Sequence, residues 1–190
     1  MKAMKKLDAK LLRKSEPTTE ELVKIKRNPI YFILDEILDT FNVGSMFRLA
    51  DAVAAEKIYL CGAMETPPSS RIHKAAIGTE NWVPWEKRDS TLEVVKELKE
   101  KSLQPRGLPA RRGVQIIAVE QDKRSDLYTE LKPVFPVALV LGHETKGIAK
   151  SVLKEADVIV ELPLFGINKS FNVWGSAAVV AYKILEFLTN

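Results

Sequence analysis

With 190 residues, 46% of them hydrophobic, the chain is long enough for one domain with a full core and a short appendage. Its single cysteine, Cys61, excludes an internal disulfide, and one cysteine with two histidines argues against a structural zinc site. No apolar run approaches the roughly 20 residues of a membrane span, and the basic N-terminus lacks the apolar segment of a secretory signal, so a reducing cytoplasm is the expected compartment.

The formal net charge of +4 is unevenly spread. Residues 1–28 carry nine Lys or Arg against four Asp or Glu, and residues 101–113 carry Lys101, Arg106, Arg111 and Arg112 with no acid. Positive charge therefore gathers in one loop and in an arm that holds Lys5, Lys6, Lys10, Arg13 and Lys14. A polyanion-binding protein places charge in this way; solvated terminal charge explains it equally well.

In chain order, Thr18 and Glu21 form a capping box for a short helix from about Thr19 to Arg27. Ile30–Leu34 is an apolar run expected to be a buried strand. Asn42 is placed as the N-cap of a helix whose inner face carries Val43, Met46, Phe47, Ala50 and Ala54. Ile58–Cys61 is a second strand, with Cys61 buried and inert at its end. The stretch from Gly62 to Trp85, with two prolines and scattered polar residues, reads as a long irregular loop, and such loops tend to be functional. Ser90 and Glu93 start a helix running to about Lys101, and residues 102–113, rich in Pro and Gly, read as a flexible connection.

Val114–Val119 and Val137–Leu141 are almost wholly apolar, as strands of a parallel sheet covered on both faces are. Asp126–Leu131 reads as a short helix between them, and Gly142–Gly147 turns the chain into a helix near Ile148–Ala156. The strand Val158–Leu162 then runs through Pro163 into a loop holding Gly166, Asn168, Ser170 and Asn172. Val173, Ala177, Val180, Ala181, Ile184 and Leu188 recur at helical spacing beyond it, so one face of a last helix must be buried. The alternation of strands and helices predicts an α/β fold with a mainly parallel sheet flanked by helices.

Three polar stretches each begin at or near a predicted strand end: Asn42–Arg48, Leu141–Gly147 and Leu162–Asn172. They are expected to meet at one edge of the sheet, where α/β proteins hold ligands. For Ser170 and Asn172, capping of the last helix is an equally open role. Familiar nucleotide motifs are missing: there is no G-x-G-x-x-G, and Gly142-x-x-x-x-Gly147 is followed by Ile148 rather than Lys-Ser/Thr. Asn, Arg, Glu, Ser and backbone amides suit positioning and charge stabilisation better than acyl chemistry.

Taken together, N-x-G-x-x-x-R at 42–48, L-G-x-E-x-x-G at 141–147 and L-P-x-x-G-x-x-x-S-x-N at 162–172 resemble the three motifs of the SpoU/TrmH family of RNA ribose methyltransferases, in the SPOUT superfamily. The resemblance runs from about Ile30 to Leu188. It implies an α/β domain, residues 29–190, with a C-terminal trefoil knot, behind a basic arm at 1–28 that contains a helix. It further implies S-adenosylmethionine as cofactor, RNA as substrate, and a homodimer with the active site at the subunit interface, without metal or membrane.

Carried over to this chain, the pattern assigns the cofactor cradle to Leu141, Gly142, Leu162, Leu164 and Phe171. It assigns catalysis to Arg48 with Asn42 beside it, completed by Glu144, Ser170 and Asn172. Guanidinium stays protonated at any ordinary pH, so Arg48 is a poor base. The carboxylate of Glu144 has an alternative structural role at a helix start, and His143 is read as incidental.

The segment Ile77–Trp85 is similar to a loop of tRNA guanosine-18 ribose methyltransferases, which favours tRNA over rRNA. Trp82 and Trp85 there are candidates either for base stacking or for the core, and His73 and Lys74 for phosphate contact. The short arm, rather than a large RNA-binding domain, is expected to leave tRNA recognition to the catalytic dimer. Two departures from the family stand out: Phe171 where leucine is common, and Trp174-Gly175-Ser176 where serine-valine-alanine is common. They motivate a second expectation, a SPOUT-fold RNA-binding or assembly protein that has lost catalysis.

Overall fold

The computed structural model describes residues 16–103 and 111–189. The arm residues Lys5, Lys6, Lys10, Arg13 and Lys14, and Arg106 of the basic loop, lie outside the described residues. In chain order the elements are α1 (Thr19–Lys24), β1 (Asn28–Asp35), α2 (Thr40–Ala52), β2 (Ala55–Cys61), α3 (Ser70–Ala76), β3 (Trp85–Arg88) and α4 (Thr91–Glu100). A two-residue antiparallel ladder follows, β4 (Ser102–Leu103) with β5 (Arg111–Arg112). The rest are β6 (Gln115–Val119), β7 (Asp126–Leu127), β8 (Val137–Gly142), α5 (Lys150–Glu155), β9 (Val158–Glu161) and α6 (Val173–Thr189).

Seven strands form one sheet in the order β3-β2-β1-β8-β6-β9-β7, and each pairing in it is parallel. A parallel sheet is covered on both faces, so its strands must be apolar on both sides. In β1, Ile30, Phe32 and Leu34 enter one core while Tyr31 and Ile33 enter the other, and all five are buried. The first core is closed by α2, α3 and α6, through Val43, Met46, Phe47, Ile72, Ala177, Val180 and Ile184 among others. The second is closed by α4 and α5, through Val94, Val95, Leu98, Val152 and Leu153. Each of the larger fully buried side chains contributes about 1.5–3 kcal/mol.

Because the strands run one way, their carboxyl ends share an edge. β1 ends at Asp35, β8 at Gly142, β6 at Val119 and β9 at Glu161, on four neighbouring strands. Asp35 is buried there and accepts hydrogen bonds from Thr91 Oγ1 at 2.5 Å and the Ala149 amide at 3.2 Å. It thereby ties the start of α5 to β1.

Local structure departs from the sequence-based expectation in three places. The second helix starts three residues early, because Asp39 is the N-cap, accepting from the Phe41 amide at 2.8 Å. Asn42 thus sits buried in the first turn, its side chain free for tertiary bonds. The stretch 62–85 is not irregular throughout: Ser69 caps α3, and Thr79–Asn81 forms a 3-10 turn before β3. Its polar residues masked a helix whose buried side is only Ile72 and Ala76. Residues 126–131 hold the edge strand β7 and a 3-10 turn, Tyr128–Glu130, instead of an α-helix. The capping box Thr18–Glu21 is present as expected, although α1 ends at Lys24.

Candidate active site

The turn after β8 is built on two glycines. The Gly147 amide donates to His143 O at 2.8 Å, and the backbone there has φ +67°, which glycine adopts without strain. A Cβ at Gly142 would stand 2.4 Å from Gly147 C and from Ile148 N, so the turn can fold back on β8 only with glycine there. His143 Nδ1 accepts from the Thr145 amide at 3.0 Å, which makes the imidazole a brace for this turn.

Between this turn, the end of β6 and the β9–α6 loop lies a cavity of about 440 Å³, within the range of small-molecule sites. All five residues assigned to a cofactor, Leu141, Gly142, Leu162, Leu164 and Phe171, line it. Glu144, Ser170 and Asn172 line it too, whereas Asn42 and Arg48 do not. The Phe171 ring lies against Gly175, where a Cβ would come within 2.7 Å of Phe171 Cε1. Phenylalanine at 171 and glycine at 175 therefore fit one another sterically.

At the rim, one chain of hydrogen bonds joins all three sequence stretches. Glu144 accepts from the Leu38 and Asp39 amides at 3.1 and 3.0 Å and from Asn42 Nδ2 at 3.0 Å. Asn42 Oδ1 accepts from Asn172 Nδ2 at 3.1 Å. Asn172 Oδ1 in turn accepts from the Trp174 and Gly175 amides at 2.9 and 3.3 Å, so it also caps α6. The capping and site roles weighed for Asn172 thus belong to the same side chain. Glu144 does serve a helix start, but that of α2 rather than α5.

Desolvation pushes the Glu144 carboxyl up. The bonds from the Asn42 side chain, from the Leu38 and Asp39 amides and from its own amide outweigh that, leaving it below the ordinary carboxylate value. It is ionised and fully engaged, which suits orientation rather than proton abstraction. Ser170 turns away from this chain, its amide and hydroxyl both 3.4 Å from Asn168 Oδ1.

Arg48 is exposed on α2 and bonds to no described residue. Six residues separate it from Asn42, roughly 9 Å along a helix and about 120° around it, so a single copy does not bring the two together. Trp82 donates to Asp51 Oδ1 at 2.7 Å, and Trp85 meets Phe47 edge-on at 6.4 Å. Both tryptophans pack against the core, which explains their presence without a bound base. His73 Nδ1 lies 2.5 Å from the buried Glu80, and Lys74 is exposed.

Two acids escaped the sequence reading. Glu120 and Glu161 line the cavity at the ends of β6 and β9. The signal for Glu120 was available, since it is the first charged residue after the apolar run Val114–Val119. Gln121 joins the loops by donating to Lys169 O at 3.1 Å. Among the described residues, no group of three or more His, Cys, Asp or Glu could hold a metal ion, and no helix is long and apolar enough to cross a membrane.

Comparison with known proteins identifies the family and the fold. The family model of the SpoU rRNA methylases matches residues 29–182. The 23S rRNA (guanosine-2'-O-)-methyltransferase RlmB of Neisseria meningitidis is 29% identical over 159 residues, 84% of this chain and 59% of that protein. The chain spans about three-fifths of the length of the first curated relatives it matches. An AdoMet-bound rRNA methyltransferase from Sinorhizobium meliloti shares the fold with a TM-score of 0.74 at 23% identity, covering 86% of this chain and 58% of that one. The TrmH/SpoU tRNA modifying enzyme of Aquifex aeolicus has a TM-score of 0.72 at 25% identity, covering 93% of this chain and 80% of that one.

Proposed function

Because the chain belongs to the SpoU rRNA methylase family, we propose that it is an S-adenosylmethionine-dependent RNA methyltransferase that methylates a ribose 2′-hydroxyl. tRNA, at a guanosine-18 type position, is the substrate we favour over rRNA. The observation that carries this is the convergence of three separate stretches on one cavity, with the bonded chain Glu144–Asn42–Asn172 at its rim. The tRNA preference rests on the resemblance of Ile77–Trp85 to a tRNA-enzyme loop; the relatives' names include both RNA classes.

The cavity fits the methyl donor in size and chemistry. Leu141, Leu162, Leu164 and Phe171 offer apolar walls for a purine, and Glu120 and Glu161 offer negative charge near a cationic ligand. The bound donor supplies an electrophilic methyl group on a sulfonium. Leu141, Gly142, Leu162, Leu164 and Phe171 hold it. Glu144 fixes the Asn42 amide, and Asn42 in turn fixes Asn172, so the rim is set before RNA arrives and costs little reorganisation. Arg48 is free to grip a phosphate beside the target ribose, as a group that stays charged must.

We assign assembly as a homodimer through α2 and α6. Phe41, Trp174 and Tyr182 are 51%, 42% and 52% exposed on these helices, more apolar surface than one core contact leaves. On this reading Arg48 of one protomer serves the cavity of its partner, a role that its absence from the cavity lining of its own copy supports. We also assign the family's trefoil knot to the C-terminal part, on the resemblance of the motifs alone. Residues 29–190 are then the methyltransferase domain and 1–28 a basic arm, in a protein of the cytoplasm.

Calorimetry with S-adenosylhomocysteine, followed by methylation assays on tRNA and rRNA transcripts, tests this. Binding together with methylation of tRNA is expected. Binding with no turnover on either RNA would instead favour an RNA-binding or assembly protein that has lost catalysis.

A further inference from the structure

Glu120 has capacity that its structural role does not use. It directly follows β6, whose neighbours in the sheet are β8 and β9. Its carboxylate therefore lies between the two loops that frame the cavity. Oε1 accepts from the Gln121 amide at 3.0 Å, and Oε2 accepts from the Ile148 amide at 2.8 Å. The side chain also lies across Gly147, where a Cβ would fall 2.3 Å from Oε2. The group is thus locked by one amide on each oxygen. A carboxylate has about four lone-pair sites, so each oxygen keeps one acceptor site, and the residue lines the cavity.

Two coplanar acceptors on one rigidly held carboxylate match a pair of adjacent hydroxyls. In nucleotide-binding α/β proteins an acid at a strand's carboxyl end accepts from ribose hydroxyls in this manner. The other acids of the cavity serve less well. Glu144 already accepts from three tertiary donors and its own amide, and Glu161 bonds to no described residue that would fix its position. We propose that Glu120 is the residue that recognises the ribose diol of the nucleoside ligand, and so selects a ribonucleoside methyl donor. This rests on the cavity being the donor site.

The test is a binding cycle on the whole chain: S-adenosylhomocysteine and its 2′-deoxyribose analogue, each titrated by calorimetry against wild type and Glu120→Gln. A hydrogen bond to a charged acceptor predicts that wild type prefers the ribose form by about ten-fold or more. In Glu120→Gln that preference should shrink to about three-fold or less, because the amide offers one acceptor in place of two. A role confined to bracing the 142–148 turn would weaken both ligands by the same factor and leave the preference intact; that result overturns the proposal. Wild type alone also decides, should the variant fold poorly: equal affinity for the two ligands refutes the assignment. Failure of wild type to bind S-adenosylhomocysteine would instead remove the donor site itself, a separate outcome.

Discussion

Asn42→Asp replaces one nitrogen by oxygen at the centre of the rim network and changes no volume. In the protein, Asn42 Nδ2 donates to Glu144 at 3.0 Å while its Oδ1 accepts from Asn172. In the variant the donor becomes a second carboxylate oxygen facing Glu144. Two like charges at that distance repel by about 5 kcal/mol at an effective dielectric of 20. Glu144 is exposed while residue 42 is buried, so screening reduces the expected loss to about 1–2 kcal/mol at pH 7.

The pH dependence should also reverse. Wild-type Glu144 has a carboxyl below its ordinary value. Its contribution is therefore present above the unfolded pKa and fades as pH falls through the lower folded value. In the variant one carboxyl of the pair is pushed up by its neighbour, so the folded state takes up a proton that the unfolded chain does not. Its stability should rise as pH falls from 7 toward 5, while wild type stays flat over that range or declines. Urea unfolding at several pH values measures both slopes. A variant within about 0.5 kcal/mol of wild type at pH 7, with a parallel pH profile, would refute the network as described.

Gly142→Ala should cost about 1–3 kcal/mol or more, because the added methyl meets backbone that cannot yield, and it should abolish S-adenosylhomocysteine binding in calorimetry. Arg48→Ala should leave the melting temperature and donor affinity nearly unchanged, as an exposed unpaired residue implies, while methylation is lost. Retained wild-type turnover would remove Arg48 from the mechanism. Trp174→Glu should shift the protein to monomer in sedimentation at micromolar concentration and lower activity with it; a monomeric wild type with full activity would contradict assembly through α2 and α6.

The cores were legible because strands buried on both faces leave unmistakable apolar runs, as at Ile30–Leu34 and Val137–Leu141, and because α6 repeats its apolar residues at helical spacing. The helix α3 was not, since it buries only Ile72 and Ala76 and is otherwise polar. Asn42 looked like a cap because a short polar residue precedes an apolar face. Asp39 took that role, and the choice depended on a tertiary partner, Glu144, over a hundred residues away. The cavity walls followed from the resemblance of the motifs, residue by residue. Glu120 belongs to none of them; its position just after an apolar run was legible, but its place between the two loops depended on β8 and β9 flanking β6. The position of Arg48 away from the cavity of its own chain is likewise a property of helix geometry that spacing in sequence does not display.

A 2′-O-methyl group removes the nucleophile that cleaves RNA in alkali, so the product identifies the reaction. The protein is incubated with methyl-labelled S-adenosylmethionine and tRNA, and the RNA is then hydrolysed in alkali and separated by size. Label in an alkali-resistant dinucleotide, lost on Arg48→Ala, is the predicted result. Label confined to mononucleotides would mean that a base and not a ribose is methylated, and would contradict the central claim.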